Sequence, residues 1–438
     1  MKDNYIVALE IGSSKIMGAV GAYQPDGTLK ILAVEQEESR DSVRYGIIQN
    51  PEEVASRVIK IIDRLQANPA VAPRIISGVF VGLSGRSMRS IPSEVKLIFP
   101  EETEITAEII QNLRNDAVSL TLDSNQEILE VVPRYYQIDG METSSPKGAM
   151  GKSVSAVFDL IVGRGELQRN IRRAFAYRTG LDIKGLIVTP LAAADIVLSD
   201  EEKRLGCMLV DFGAETTSVS IFRKGALAYY VTLPLGGRNI TRDLTTLSIL
   251  EEKAEEIKCE SGRAIARETP STLNLNGIKL SDVSNLVVAR AEEIVANVIA
   301  QIDYAGLKEK DLPAGIVCIG SGAHLHGMLE LLETQSGLNA RMGHTPPEIQ
   351  AMEPRAKRHD TIQVAALLYA GALTGIADCT YIPADDEPAE QDTAVIETPD
   401  SGKRDDSQEG KVGKFFRGIS SKLTNMFGSN IDDDSELN

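Results

Sequence analysis

Two short segments of the chain share one form, 201 residues apart from Glu10 to Asp211. Val7-Ala8-Leu9-Glu10-Ile11-Gly12-Ser13-Ser14-Lys15 and Met208-Leu209-Val210-Asp211-Phe212-Gly213-Ala214-Glu215-Thr216-Thr217 each run from an apolar strand into an acid, one residue, a glycine and a tight turn. An acid at that point can hold magnesium through water, because this cation keeps part of its hydration shell. The glycine lets successive backbone N–H groups approach phosphate oxygens and form an anion-binding concavity. Two such turns facing each other would clamp a polyphosphate. Glu10 and Asp211 are thus candidate holders of Mg2+, and Gly12, Ser13, Ser14, Lys15, Gly213 and Thr216 candidate phosphate contacts. A third segment, Ile316-Val317-Cys318-Ile319-Gly320-Ser321-Gly322-Ala323, ends a strand where a bulky side chain would obstruct a nucleoside. Gly320 and Gly322 complete the set.

Two other motifs fail on inspection. Gly151-Lys152-Ser153 has Pro146 where a Walker A loop needs its first glycine, and a strand follows where a helix is required. Gly320-Ser321-Gly322 has Leu325 in place of the third glycine of a dinucleotide fingerprint.

Elements able to position these loops alternate along the body to about residue 380. Ile6–Leu9 and Ile16–Gly21 read as a hairpin around Gly12. Asn50-Pro51-Glu52-Glu53 opens a helix, with Asn50 as cap, Pro51 in the first turn and Glu53 completing a capping-box-like arrangement. Ile75–Leu83 reads as a buried strand. Residues 85–163 form a unit with strands at Val95–Phe99, Ile128–Asp139 and Val154–Val162, and a helix over 106–119. Helices are also predicted over 165–177, 250–268, 282–304 and 361–374. Strands are predicted at 185–188, 207–210 and 315–319.

The 438 residues carry 46 basic and 63 acidic side chains, a net charge of −17 that argues against nucleic acid as a partner. No apolar run approaches the ~20 residues of a bilayer-spanning helix, and the N-terminus has no signal-peptide core. A cytoplasmic protein is expected. Four cysteines without a CxxC pair point to reduced structural thiols, and His324 and His326 alone make a poor metal site.

The charge is unevenly placed. Residues 381–410 hold ten acids and two bases, 411–427 four bases and no acid, and the last eleven residues four acids. The acidic, Pro- and Ser-containing stretch lacks the large apolar residues needed to fold and reads as a disordered linker. In 411–427, Val412, Phe415, Phe416, Ile419, Leu423, Met426 and Phe427 fall within an arc of about 120° on a helix. Lys411 and Lys422 sit just outside that stripe, on the same side, with Lys414 and Arg417 on the far face. Such a helix could pack on its own domain, bind a partner's groove, or lie in a membrane interface. The aromatic face with basic margins favours the interface and anionic lipid.

Taken in order and at their separations, the three loops resemble the two phosphate loops and the adenosine loop of the actin and heat-shock-chaperone ATPase superfamily. Ala254-Glu255-Glu256-Ile257-Lys258, with Gly262 after it, resembles that superfamily's adenine-side helix, where Glu255 and Lys258 would flank purine and ribose. Within the superfamily, Leu9–Lys15, Val131-Val132-Pro133-Arg134-Tyr135-Tyr136, and Leu235-Gly236-Gly237 followed by Ile240-Thr241-Arg242-Asp243 resemble the FtsA family of bacterial cell-division proteins. The resemblance covers roughly residues 5–375.

It implies an α/β actin-like fold of two ribonuclease H-like lobes, with an inserted α+β subdomain replacing the usual second actin subdomain. The first lobe would span 1–84, 164–204 and about 343–380, around the insertion 85–163. The second would span 205–240 and 286–342, with an upper subdomain at 241–285. Residues 381–410 would be the linker, 411–428 the membrane-targeting helix and 429–438 an acidic tail.

The same resemblance implies ATP with Mg2+ in the interdomain cleft, with Gly236 and Gly237 among the contacts, and polymerisation into actin-like filaments. It also implies docking of the FtsZ C-terminal peptide within residues 240–290, and contact with other division proteins through 85–163. The location implied is the inner face of the cell membrane at midcell. Departures from the superfamily bear on hydrolysis. Ala214 and Glu215 replace glycines, Ser218 stands where an aspartate is common, and Thr189-Pro190 replaces a Glu-Pro. Slow or no turnover follows, and Glu215 must turn away from phosphate or meet the metal. The competing readings are an actin-fold small-molecule kinase and a pilus-assembly actin homologue.

Overall fold

The computed structural model describes residues 4–119, 121–176, 179–266, 274–275, 277–376 and 379–383. The predicted linker from 384 onward, the amphipathic helix and the acidic tail lie outside the described residues.

The first lobe is built on a six-stranded sheet. Strand Asn4–Ile11 pairs antiparallel with Lys15–Tyr23, which pairs antiparallel with Leu29–Glu38. Gly78–Leu83 lies parallel to Asn4–Ile11, Asp182–Val188 lies parallel beyond it, and Ile349–Ala351 closes the other edge. On strand Lys15–Tyr23, Gly18 faces Ile61 of helix Pro51–Ala67, while Gly21 faces Leu368 of helix Ile362–Leu373. Both faces of the sheet are therefore covered, which is why its strands read as near-continuous apolar runs. The predicted strand Ile75–Leu83 is split. Ile75–Ile76 pairs with Thr380–Tyr381, and the central strand starts at Gly78. At the head of helix Pro51–Ala67 the Asn50 side chain accepts from the Glu53 amide. The Glu53 carboxylate binds Arg57 instead of closing the box.

The second lobe repeats the plan. Cys207–Phe212, Thr217–Arg223 and Ala226–Leu233 form an antiparallel meander, with Ile316–Ile319 and Ala340–Met342 parallel on its other side. A core of Met208, Val210, Phe212, Val287, Ile294 and Val298 joins this sheet to the long helix Leu280–Tyr304. Helices Gly237–Thr245 and Glu251–Ser261 pack over it; the latter stops at Gly262, short of the predicted 268.

Between them in sequence, Arg89–Glu104, Gln126–Ile138 and Met150–Arg164 make an antiparallel sheet carrying helix Ala107–Ala117. They enclose a third core around Ile105, Leu113, Tyr136, Phe158 and Leu160. This unit interrupts the first lobe in the chain but docks on the second. Arg89 pairs with Val231, fusing the two sheets into one of nine strands. Asp159, fully buried, accepts two hydrogen bonds from Arg134 at 2.5 and 2.8 Å, and Arg134 also donates to the Ala228 carbonyl at 2.8 Å.

Candidate functional site

The two acid-x-Gly segments form turns of the same register. Ile11 pairs with Ile16 and Glu10 with Met17; Phe212 pairs with Thr217 and Asp211 with Ser218. Each turn closes on a hydrogen bond from its glycine amide, Gly12 to the Lys15 carbonyl at 3.0 Å and Gly213 to the Thr216 carbonyl at 2.9 Å. Both open into one cleft of about 1080 Å3 between the lobes. The structure gathers every predicted nucleotide-site residue there: Glu10, Gly12, Ser13, Ser14 and Lys15 on one wall; Asp211, Gly213 and Thr216 on the other. Gly236, Gly237, Glu255 and Lys258 line its upper part, and Gly320 and Gly322 its back.

Backbone packing explains two of the glycines. Gly320 has φ +84°, and a Cβ on it would stand 2.4 Å from Asp211 Oδ1 and 2.5 Å from the Phe212 carbonyl. A Cβ on Gly236 would stand 2.6 Å from the Ala214 carbonyl. That close approach lets the amides of Gly237 and Arg238 bond the Gly213 and Ala214 carbonyls at 3.0 and 2.7 Å. The second loop is thereby fixed to the start of helix Gly237–Thr245.

Burial, added to by the nearby Asp211 charge and opposed by Lys15, pushes the Glu10 carboxyl up to about 7. Burial pushes Asp211 up to about 6, opposed by a hydrogen bond from Gln363 at 3.1 Å. Two carboxylates held back from ionising by burial and repulsion are a donor set that fits a divalent cation. Among the described residues no cluster of three or more His, Cys, Asp or Glu surrounds such an ion. Water and ligand oxygens would have to complete its shell.

The structure adds partners that the sequence did not reveal. Lys15 places its ammonium 2.5 Å from Asp360, a residue 345 positions away. Burial alone would raise the Asp360 carboxyl, but Lys15 and Arg358 hold it below its usual range. Lys258 bonds Glu255 at 2.7 Å, Thr241 at 3.0 Å and the Gly237 carbonyl at 3.2 Å. His324, beside the third loop, packs on His359 of the first lobe with ring centroids 3.4 Å apart. Glu215 lines the same cleft, with its carboxylate taken up by groups of both lobes. Its fully buried carboxylate meets Arg44, Arg238, Arg242 and the Tyr45 amide. Ser218 bonds Thr232, and Thr189, almost fully buried, does not line the cleft. Asp360, Gln363 and Arg44 carry no local motif, so only long-range pairing could have found them; Arg242 stood in a recognised motif, but its pairing with Glu215 did not show there.

Two lobes of one plan, meeting across facing hairpin loops, define the actin-like ATPase fold. A solved structure described as the PilM-PilN type IV pilus biogenesis complex shares that fold, with a TM-score of 0.59 at 16% identity over 84% of this chain and 97% of that one. The family profile "Cell division protein FtsA" matches residues 208–360, and "SHS2 domain inserted in FTSA" matches 85–162. The chain is 32% identical to the cell division protein FtsA of Porphyromonas gingivalis over 335 residues, 74% of this chain and 69% of the relative. It is 29% identical to FtsA of Escherichia coli K12, over 80% and 87% respectively. The chain belongs to the FtsA family of cell-division proteins.

Proposed function

We propose that the chain binds Mg-ATP between its lobes, assembles with further copies of itself, and anchors a division filament to the inner face of the cell membrane at midcell. The observation that carries the nucleotide reading is the pair of facing turns with equal register and a partly buried acid in each. Glu10 and Asp211 would hold magnesium through water. The turn amides and Lys15 would meet the phosphates, with Gly236 and Gly237 closing over them. Glu255 and Lys258 would flank the base and ribose, and Gly320 and Gly322 leave room for the nucleoside. Magnesium would supply charge neutralisation for the phosphates. No acid stands at Thr189, so slow or no hydrolysis follows.

The FtsZ C-terminal peptide is assigned to residues 240–290, and other division proteins to 85–163. Residues 411–427 supply the membrane contact by burying Val412, Phe415, Phe416, Ile419, Leu423, Met426 and Phe427, with Lys411 and Lys422 toward anionic headgroups. A single short helix binds lipid reversibly, so several copies in one filament would make attachment stable.

Gly12→Val tests the nucleotide half, because a Cβ on Gly12 already meets the Lys15 carbonyl at 3.1 Å. The valine protein should lose labelled ATP; equal binding would reassign the loop. Co-sedimentation with anionic vesicles, using the chain with and without residues 411–438, tests the other half. Equal sedimentation of both forms would remove the anchor.

A further inference from the structure

We propose that the outer face of helix Glu166–Ala176 is a docking surface for the chain's own acidic segment, residues 385–392. Arg169, Arg172 and Arg173 stand at i, i+3 and i+4 and share one side of that helix. Leu167, Ile171, Ala174 and Phe175 take the other side into the first core. All three arginines are exposed, and among the described residues their guanidinium groups enter no ion pair. With Gly165, Gln168 and Glu127 they line a shallow depression of about 410 Å3. Glu127 sets one negative charge against three positive ones, so the depression is cationic. Several other arginines of this lobe have carboxylate partners, Arg57 with Glu53, Arg64 with Glu37 and Arg355 with Glu35 among them. In a chain of net charge −17, three arginines left facing solvent call for an anionic occupant.

The path of the chain says which occupant. The Ser77 amide donates to the Cys379 carbonyl at 2.9 Å, and the Asp182 amide donates to the Ser77 carbonyl at 2.9 Å. Asp182 opens the strand that follows the arginine helix, so the described body ends at Pro383 on the side where that helix ends. Asp385-Asp386-Glu387 begins two residues later, followed by Glu390 and Asp392, with no base among them. Each residue of chain spans at most ~3.3–3.6 Å, which keeps Asp385 within about 7 Å and Asp392 within about 32 Å of Pro383. Such a tether gives an effective concentration in the millimolar range. Guanidinium and carboxylate groups pair with a matching two-pronged geometry. Exposed pairs are individually weak and screened by salt, which makes the docking reversible. Docked, the segment leaves only residues 393–410 as free tether to the C-terminal helix; released, the tether starts at 384.

Dipolar electron-spin measurements on the full chain test this. Spin labels go on Ala176→Cys and Ala389→Cys in a Cys259→Ser background, since the other three cysteines are buried. A narrow short-distance population is expected at low ionic strength. It should disperse near 1 M salt, where the Debye length falls to about 3 Å. Combined Arg169→Glu, Arg172→Glu and Arg173→Glu should abolish it, and adding Asp385→Lys, Asp386→Lys and Glu387→Lys should restore it. That rescue also shows the reversed helix is folded. Distances unchanged by the arginine reversals overturn the proposal. So does a charge-reversed protein that loses anionic vesicles while keeping its distances, which would assign the arginines to lipid.

Discussion

Arg44 Nε donates to the Glu215 carboxylate at 3.0 Å across 171 residues of sequence. The same carboxylate accepts from Arg242 at 2.5 Å and from the Tyr45 amide at 2.6 Å. One buried acid thereby joins the first lobe, the second loop and the helix above it. Glu215→Gln keeps the shape but leaves Arg44, Arg238 and Arg242 facing one another. A loss of about 2 kcal/mol is expected, less than for a fully buried pair because the arginines are partly exposed. It reads as a lower urea midpoint at unchanged slope, and Arg44→Leu added to it should recover part. A midpoint equal to the parent's would show the cluster to be idle.

Burial alone would raise the Glu215 carboxyl, but the Tyr45 amide and the three arginines hold it below its usual range. A folded-state pKa below the unfolded one means stability present above the unfolded pKa, ~4.3, and lost as pH falls through the folded value. The stability difference between parent and Glu215→Gln should therefore shrink below pH 4. Chemical denaturation at several pH values checks this, and a difference that widens toward acid has the wrong sign.

Gly320→Ala forces a Cβ against Asp211 and Phe212 at a backbone angle L-residues rarely adopt. The cost is ~1–3 kcal/mol of strain, and the displaced Asp211 should weaken Mg-ATP binding by tenfold or more. Gly140→Ala is the control, because Gly140 has a comparable φ of +86°, lies outside the cleft, and its Cβ would meet nothing within 4 Å. Calorimetric titration that ranks the two variants equally would contradict the assignment.

Arg134→Leu leaves Asp159 buried without its partner and removes a link to Ala228. Burial already raises the Asp159 carboxyl, with Arg134 opposing. Breaking such a pair costs ~3–5 kcal/mol. Hydrogen exchange should quicken in Ala226–Leu233 as well as in the inserted sheet; protection lost only in the insertion would show that the two sheets are not coupled.

Phe416→Glu places a charge in the apolar stripe of 411–427. In a 408–431 peptide the parent should gain helicity on anionic vesicles, since so short a helix is marginal in water. The variant should not. Equal binding by both peptides would favour a protein groove over lipid.

Much of the site was legible because its causes are local. An acid, one residue and a glycine at a strand end favour a tight turn locally, and the repeat of that form marked two loops of one kind, while the two-lobe fold came with the resemblance those loops carry. Helix starts were legible where a cap is local, as at Asn50; helix ends were less so, since Gly262 stops a helix predicted to reach 268. The inserted unit was visible as a block, but its docking through Arg89 to Val231 was not. Strand pairing between distant segments leaves no mark on the spacing of either one.

The sequence by itself determined the chemistry of the loops: which residues carry charge, which lack a side chain, and the order in which they come. Tertiary structure alone decided what that chemistry faces. Lys15 meets Asp360, Asp211 meets Gln363, and Glu215 meets arginines on both sides of the cleft. These pairings depend on the packing of two cores far apart in the chain, and a carboxylate's pKa, partner and direction follow from that packing, not from its neighbours in sequence.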